Sequence, residues 1–278
     1  TDPAIVERLR TTYGMDQSAP VQLWRYIVSV ARLDLGYSYR HNAPVSEVIG
    51  AHLPATLVLM ISAILIAVLA GSAAGVVAAV KVGTAWDTLV SALAVFFFAA
   101  PSFWLGIMLM VLFSVKLGWL PVGGMQTIGL DGGWLLQVMD VLKHLALPAL
   151  TLGLFYAALY ARVTRASMLE VSRMDFVRAA RAKGLGPWRV VLAHMLRNAL
   201  LPVVTLLGLQ LGTVLGGSVV IEAVFSWPGI GSVLFDSVMS RNYPIVLGVL
   251  LLSAVIVAVA NLVVDLLYTR LDPRVQLR

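Results

Sequence analysis

LPATLVLMISAILIAVLAGSAAGVVAAV, residues 53–80, is 28 consecutive residues without Asp, Glu, Lys or Arg. A helix rises about 1.5 Å per residue and a hydrocarbon core is about 30 Å thick, so about 20 apolar residues cross it. Four more charge-free runs follow, at 88–115, 145–161, 199–221 and 244–264. As helices, the third can run on to 165 and the fifth to 266. All are far longer than a barrel strand of about 10 residues, and none alternates strictly. The expected fold class is an all-α integral membrane protein with five spans.

Composition agrees. Of 278 residues, 60% are hydrophobic and 12% charged, against about 25% charged in soluble chains. There is no cysteine, hence no disulfide, thiolate metal site or cysteine nucleophile. The net charge of +6 sits in short segments between apolar runs. A phosphate-binding surface needs clustered cations on an exposed domain, so no nucleic-acid partner is expected. His41, His52, His144 and His194 are scattered. No Walker A loop, H-E-x-x-H or G-x-S-x-G occurs, so no catalytic, cofactor-binding or metal residues are expected.

Lys and Arg favour the cytoplasmic side. If the 162–198 loop is inside, inner segments hold twelve cations: Lys81, eight from Arg162 to Arg197, and Arg270, Arg274 and Arg278. Outer segments hold eight: five in 1–52, then Lys116, Lys143 and Arg241. The carboxyl terminus is therefore expected inside and residue 1 outside. A polar outer segment that long needs an export signal or an upstream span, so a first span ahead of Thr1 is expected. The five runs hold no formal charge, and Glu222 and Asp265 fall at span ends, where they read as interfacial residues. Ion-coupled transporters usually carry intramembrane charges, so the energy for any pumping comes from outside the membrane part.

The polar loop is the most informative segment: Asp175-Phe-Val-Arg-Ala-Ala-Arg-Ala-Lys-Gly184-Leu-Gly-Pro-Trp188. Asp175 suits an N-cap and Gly184 a C′ position, with Arg181 and Lys183 on the favourable end of the dipole. The spacing predicts a two-turn helix over 176–183, then a second helix from Pro187 toward Asn198 and the next span. The short helix is either a solvated connector or a docking peg for a groove on a partner. Ala179, Ala180 and Ala182 would allow close approach.

This segment resembles the EAA loop of bacterial binding-protein-dependent ABC importer permeases, in the dipeptide/oligopeptide/nickel branch. The generic pattern is E-A-A, three residues, then Gly. Arg178-Ala179-Ala180 followed by Arg181-Ala182-Lys183-Gly184 fits it, with arginine for glutamate. Arg178 to Leu185 and His194-Met-Leu-Arg-Asn-Ala-Leu-Leu-Pro202 match the dipeptide branch. So do Leu53-Pro-Ala-Thr-Leu57, Ala100-Pro-Ser-Phe-Trp104, Arg162-Val-Thr-Arg-Ala-Ser-Met-Leu-Glu170, Glu222-Ala-Val-Phe-Ser-Trp-Pro-Gly-Ile-Gly231 and Asn261-Leu-Val-Val-Asp-Leu-Leu-Tyr268. Leu33 stands before Asp34-Leu35-Gly36, where the family often has glycine.

The resemblance implies a type I ABC importer transmembrane domain in the bacterial inner membrane. It implies a second homologous permease, two ATPase subunits that hold ATP and Mg, an extracytoplasmic solute-binding protein, and surrounding lipid. Residues 53–268 would form the permease core, with the coupling loop at 167–198, an outer segment at 1–52 and a cytoplasmic tail at 269–278. Asp175, Phe176, Arg178, Ala179, Ala180, Arg181, Ala182, Lys183, Gly184 and Leu185 would form the helix that enters the ATPase. Di- and oligopeptides are the expected solutes, with nickel chelates or glutathione as alternatives. A self-sufficient secondary transporter is the competing class, and a membrane enzyme finds no supporting constellation.

Other features are less sharp. Gly208, Gly212 and Gly216 share one helix face and permit close packing, within the subunit or between permeases. Pro101 should kink or break its span. Phe96, Phe97 and Phe98 are candidates for an apolar gate or a lipid face. The loop holding Trp227, Pro228 and Gly229 either dips inward, meets the binding protein, or anchors Trp227 at the interface. Residues 21–30, with Trp24 and Tyr26, read as an interfacial helix within an outer segment of short helices.

Overall fold

The computed structural model describes residues 17–32, 34–130 and 132–271, with side chains except at 209, 211–217, 264, 265 and 267–271. Helix α1 spans Ala19–Ala31, and strands β1 (Tyr37–Ser38) and β2 (Ala43–Pro44) pair antiparallel. Then come α2 (Val45–Val80), α3 (Ala85–Ala99), and α4 (Ser102–Met110) prolonged by a π-helical segment, Val111–Lys116. Helix α5 is Trp134–Val171 and α6 is Asp175–Ala182. Helix α7 (Pro187–Arg189), a π segment (Val190–Leu196) and α8 (Arg197–Ala199) lead into α9 (Leu201–Val224). Helices α10 (Ile230–Met239) and α11 (Tyr243–Leu271) are the last elements among the described residues. Residues 1–16 and 272–278 of the expected terminal segments lie outside the described residues.

Among the described residues, four helices are long and apolar enough to cross a membrane. A fifth span exists if α3 and α4 count as one, but they are bent by 104°. The cause is local: Pro101 has no N–H to continue the helix and drives Ala100 into an extended conformation (φ −70°, ψ 134°). The run at 88–115 is therefore two helices, broken at the Pro101 where the sequence leads one to expect a kink or break. The first span begins at Val45 instead of 53. Val45, Val48 and Ile49 form a buried i, i+3, i+4 row against Ile230 and Val233 of α10 and Ile245 and Val249 of α11. Glu47 sits on the exposed side of this turn, so a charge does not end the helix there, and residues 48–52 are themselves free of Asp, Glu, Lys and Arg. Helices α2 and α5 are each about 55 Å long, more than a hydrocarbon core requires.

These two helices pack along their length. Lipid is as apolar as leucine, so a membrane bundle gains mainly from close contact. Gly71 and Gly75 of α2 supply it. A Cβ added to Gly71 would lie 2.6 Å from the Ala157 carbonyl oxygen, and one on Gly75 2.6 Å from that of Ala161. Leu59, Met60, Leu147 and Leu152 are fully enclosed farther along. The start of α2 lies by the β1–β2 hairpin, and its end lies by α6. These define the hairpin end and the α6 end of the bundle.

Candidate functional site

Helix α6 is a short helix fixed by two inward side chains, Val177 and Ala180. Val177 and Ala180 are buried among Val76 and Ala79 of α2, Met168 and Val171 of α5, and Val190, Val191 and Met195 of the second π segment. Its other face is open: Asp175, Phe176, Arg178, Ala179, Arg181 and Ala182 are exposed, as are Lys183 and Gly184 beyond it. Ala180 was expected to offer a small surface to a partner; it packs into this chain instead. The helix begins at Asp175, with Met174 at the N-cap and no side-chain cap bond. The carboxylate lies 3.6 Å from Arg178 in an exposed pair of little energetic weight.

The far end matches expectation. Gly184 takes φ +74°, the left-handed conformation that glycine adopts freely. Its N–H donates to the Arg181 carbonyl at 3.0 Å, and that of Leu185 to Ala180 at 3.4 Å. These two bonds make a Schellman cap, and Leu185 packs back on the cluster beneath. The chain then re-enters helix at Pro187 and continues toward α9. The break at Leu200 reflects Pro202, which cannot donate to the Asn198 carbonyl.

Near the same end, Arg165 of α5 forks onto Asp87 of α3, Nε to Oδ1 at 2.6 Å and Nη2 to Oδ2 at 2.9 Å. Asp87 Oδ2 also accepts the Gly83 amide at 3.0 Å. Lys81 lies over the Trp86 ring, 5.0 Å from its centroid.

At the other end, the 225–229 loop folds inward. Trp227 is 0% exposed and donates its indole N–H to the Ala55 carbonyl at 2.8 Å, so it is no interfacial anchor. Gly229 is buried with no room for a side chain, whereas Pro228 stays at the surface. Glu222, read from sequence as interfacial, is also 0% exposed. Its Oε1 accepts the Thr56 hydroxyl at 2.8 Å and its Oε2 the Ser232 amide at 3.0 Å. Thr56 Oγ1 in turn accepts the Ile230 amide at 2.8 Å. This network joins α2, α9 and α10 through a carboxylate met by neutral donors. The sequence signal was available in the Gly229-Ile-Gly231 spacing: Gly231 also lacks room, with Val219 Cα 2.7 Å from where its Cβ would be.

Other expected positions are dispersed. Phe97 is half-buried and meets Phe96 edge-on, while Phe98 stacks on Phe155. Gly208 is buried, and the surroundings of Gly212 and Gly216 lie outside the described residues.

Residues 71–277 match the family "Binding-protein-dependent transport system inner membrane component". A glutathione transport system permease protein, GsiC of Salmonella paratyphi A, is 44% identical over 275 residues, covering 99% of this chain and 85% of the relative. A di/tripeptide transport system permease protein, DppB of Pseudomonas aeruginosa, is 42% identical over 289 residues, covering 99% and 86%. Among solved structures, an inward-facing MetNI methionine ABC transporter chain aligns with TM-score 0.65 at 21% identity, over 81% of this chain and 96% of that one. That likeness places the fold among type I ABC importer transmembrane subunits. The chain thus belongs to the inner-membrane permease subunits of binding-protein-dependent ABC importers.

Proposed function

We propose that this subunit forms half of a pathway for small peptides, glutathione included, and that α6 is the element through which separate ATPases drive it. The relatives' printed substrates, glutathione and di/tripeptides, support the solute class. One observation carries the role of α6: a capped two-turn helix buries Val177 and Ala180 against its own chain, with Leu185 packing behind its cap, and leaves Phe176, Arg178, Ala179 and Arg181 open for a partner. In this reading α6 and the carboxyl terminus are cytoplasmic, the hairpin end faces the solute-binding protein, and a homologous permease completes the pathway. ATP and Mg act in the partner ATPases.

The chain has no cysteine, so a single Ala179→Cys variant gives a clean probe. In the assembled complex it should cross-link to an ATPase subunit and resist membrane-impermeant maleimide applied from outside intact cells. Labelling from outside, with no cross-link, would overturn the assignment. Uptake of labelled glutathione and dipeptides by the reconstituted complex tests the solute class.

A further inference from the structure

A cavity of about 1050 Å³ opens at the hairpin end between α1, the β1–β2 turn and the start of α11. Three arginines line it, Arg25, Arg40 and Arg241, with one carboxylate, Asp34. Asp34 is already engaged, accepting the Gly36 amide at 2.9 Å. Among the described residues none of the three arginines forms an ion pair.

Arg241 is held in place by its backbone. It occupies the C′ position of a Schellman cap on α10: its N–H donates to Val238 at 3.2 Å, and that of Asn242 to Ser237 at 2.8 Å. Its φ is +56°, where glycine is the unstrained choice. The turn is also pinned, because Asn242 Nδ2 donates to the buried Ser38 Oγ at 2.7 Å.

Part of the cavity lining is apolar. Leu23 of α1 and Leu247 of α11 line it and are exposed. Helix α1 buries none of its residues and exposes Leu23, Trp24 and Ile27, as an interfacial helix does. Leu247 continues into the exposed apolar face of the spanning helix at Leu250. Arg241 lies two residues before this spanning helix, so guanidinium groups stand beside the end of its apolar surface. A soluble anion needs the first; a phospholipid uses both.

We propose that this cavity binds the phosphodiester headgroup of an anionic phospholipid from the leaflet at the hairpin end. The test is native mass spectrometry of the assembled complex, purified with phosphatidylglycerol or phosphatidylcholine. Phosphatidylglycerol should remain bound to this subunit and phosphatidylcholine should not. Arg241→Gly removes the charge while suiting the backbone, so the complex should stay assembled and lose affinity about fivefold; R25Q/R40Q should lose about 25-fold. Equal retention by wild type and both variants overturns the proposal. So does arginine-dependent binding of millimolar inorganic phosphate or glutathione without preference for the anionic lipid.

Discussion

Arg165 of α5 and Asp87 of α3 face each other in a two-point fork, 2.6 and 2.9 Å long, just where α5 runs on toward α6. The fork ties the broken span to the helix that leads into α6. Lysine cannot reproduce two parallel bonds. Arg165→Lys and Asp87→Asn should each lower transport by roughly 2–30-fold, with ATPase activity falling less. The double variant should be no worse than the poorer single. Independent, additive losses would show that the two residues do not act as a pair.

Glu222 is the most exacting position at the hairpin end. Glu222→Ala would leave the buried Thr56 hydroxyl without an acceptor, at about 1–3 kcal/mol, and take the acceptor of the part-buried Ser232 amide at a smaller cost. Glu222→Gln keeps one acceptor oxygen and should lose less. Thermal unfolding of the purified complex reads both, and an unchanged melting temperature for Glu222→Ala would contradict the network.

The close approach of α2 and α5 predicts a contrast between two glycines of one helix. Gly75→Val drives a side chain into the Ala161 carbonyl and Thr164, and should destabilise by about 1–3 kcal/mol. Gly50 has nothing within 4 Å, so Gly50→Ala should be neutral or stabilise by up to about 1 kcal/mol. Melting temperatures of the two variants settle the comparison.

The two faces of α6 separate docking from folding. Ala179→Trp alters only the open face. It should leave the melting temperature of the subunit unchanged and abolish binding-protein-stimulated ATPase activity and transport. Ala180→Trp must enter the cluster around Met168 and Val177, and should lower stability by about 1–3 kcal/mol. Full transport by Ala179→Trp would remove α6 from the coupling route.

Helix caps show which signals reach the sequence. Gly184 announces the end of α6 because glycine is the usual residue at a left-handed cap. Ser226 and Arg241 cap α9 and α10 with the same bonding and φ values of +49° and +56°, yet neither residue type marks a cap. Trp227 reads as an interfacial anchor by residue type alone; burial follows only from the tight turn at Ser226 and the acceptor on α2.

The lipid environment, the number of apolar runs, the break at Pro101 and the position of α6 were determined by residue type and spacing. Each depends on hydrophobic length, a missing N–H or a local backbone preference, all of which act within a few residues. Tertiary structure decided which side of α6 is open, that Glu222 is enclosed, and that Gly71 and Gly75 bring α2 against the α5 backbone. Those outcomes depend on partners such as Thr56, Ser232 and Ala157, which lie far away along the chain and meet only when the helices pack.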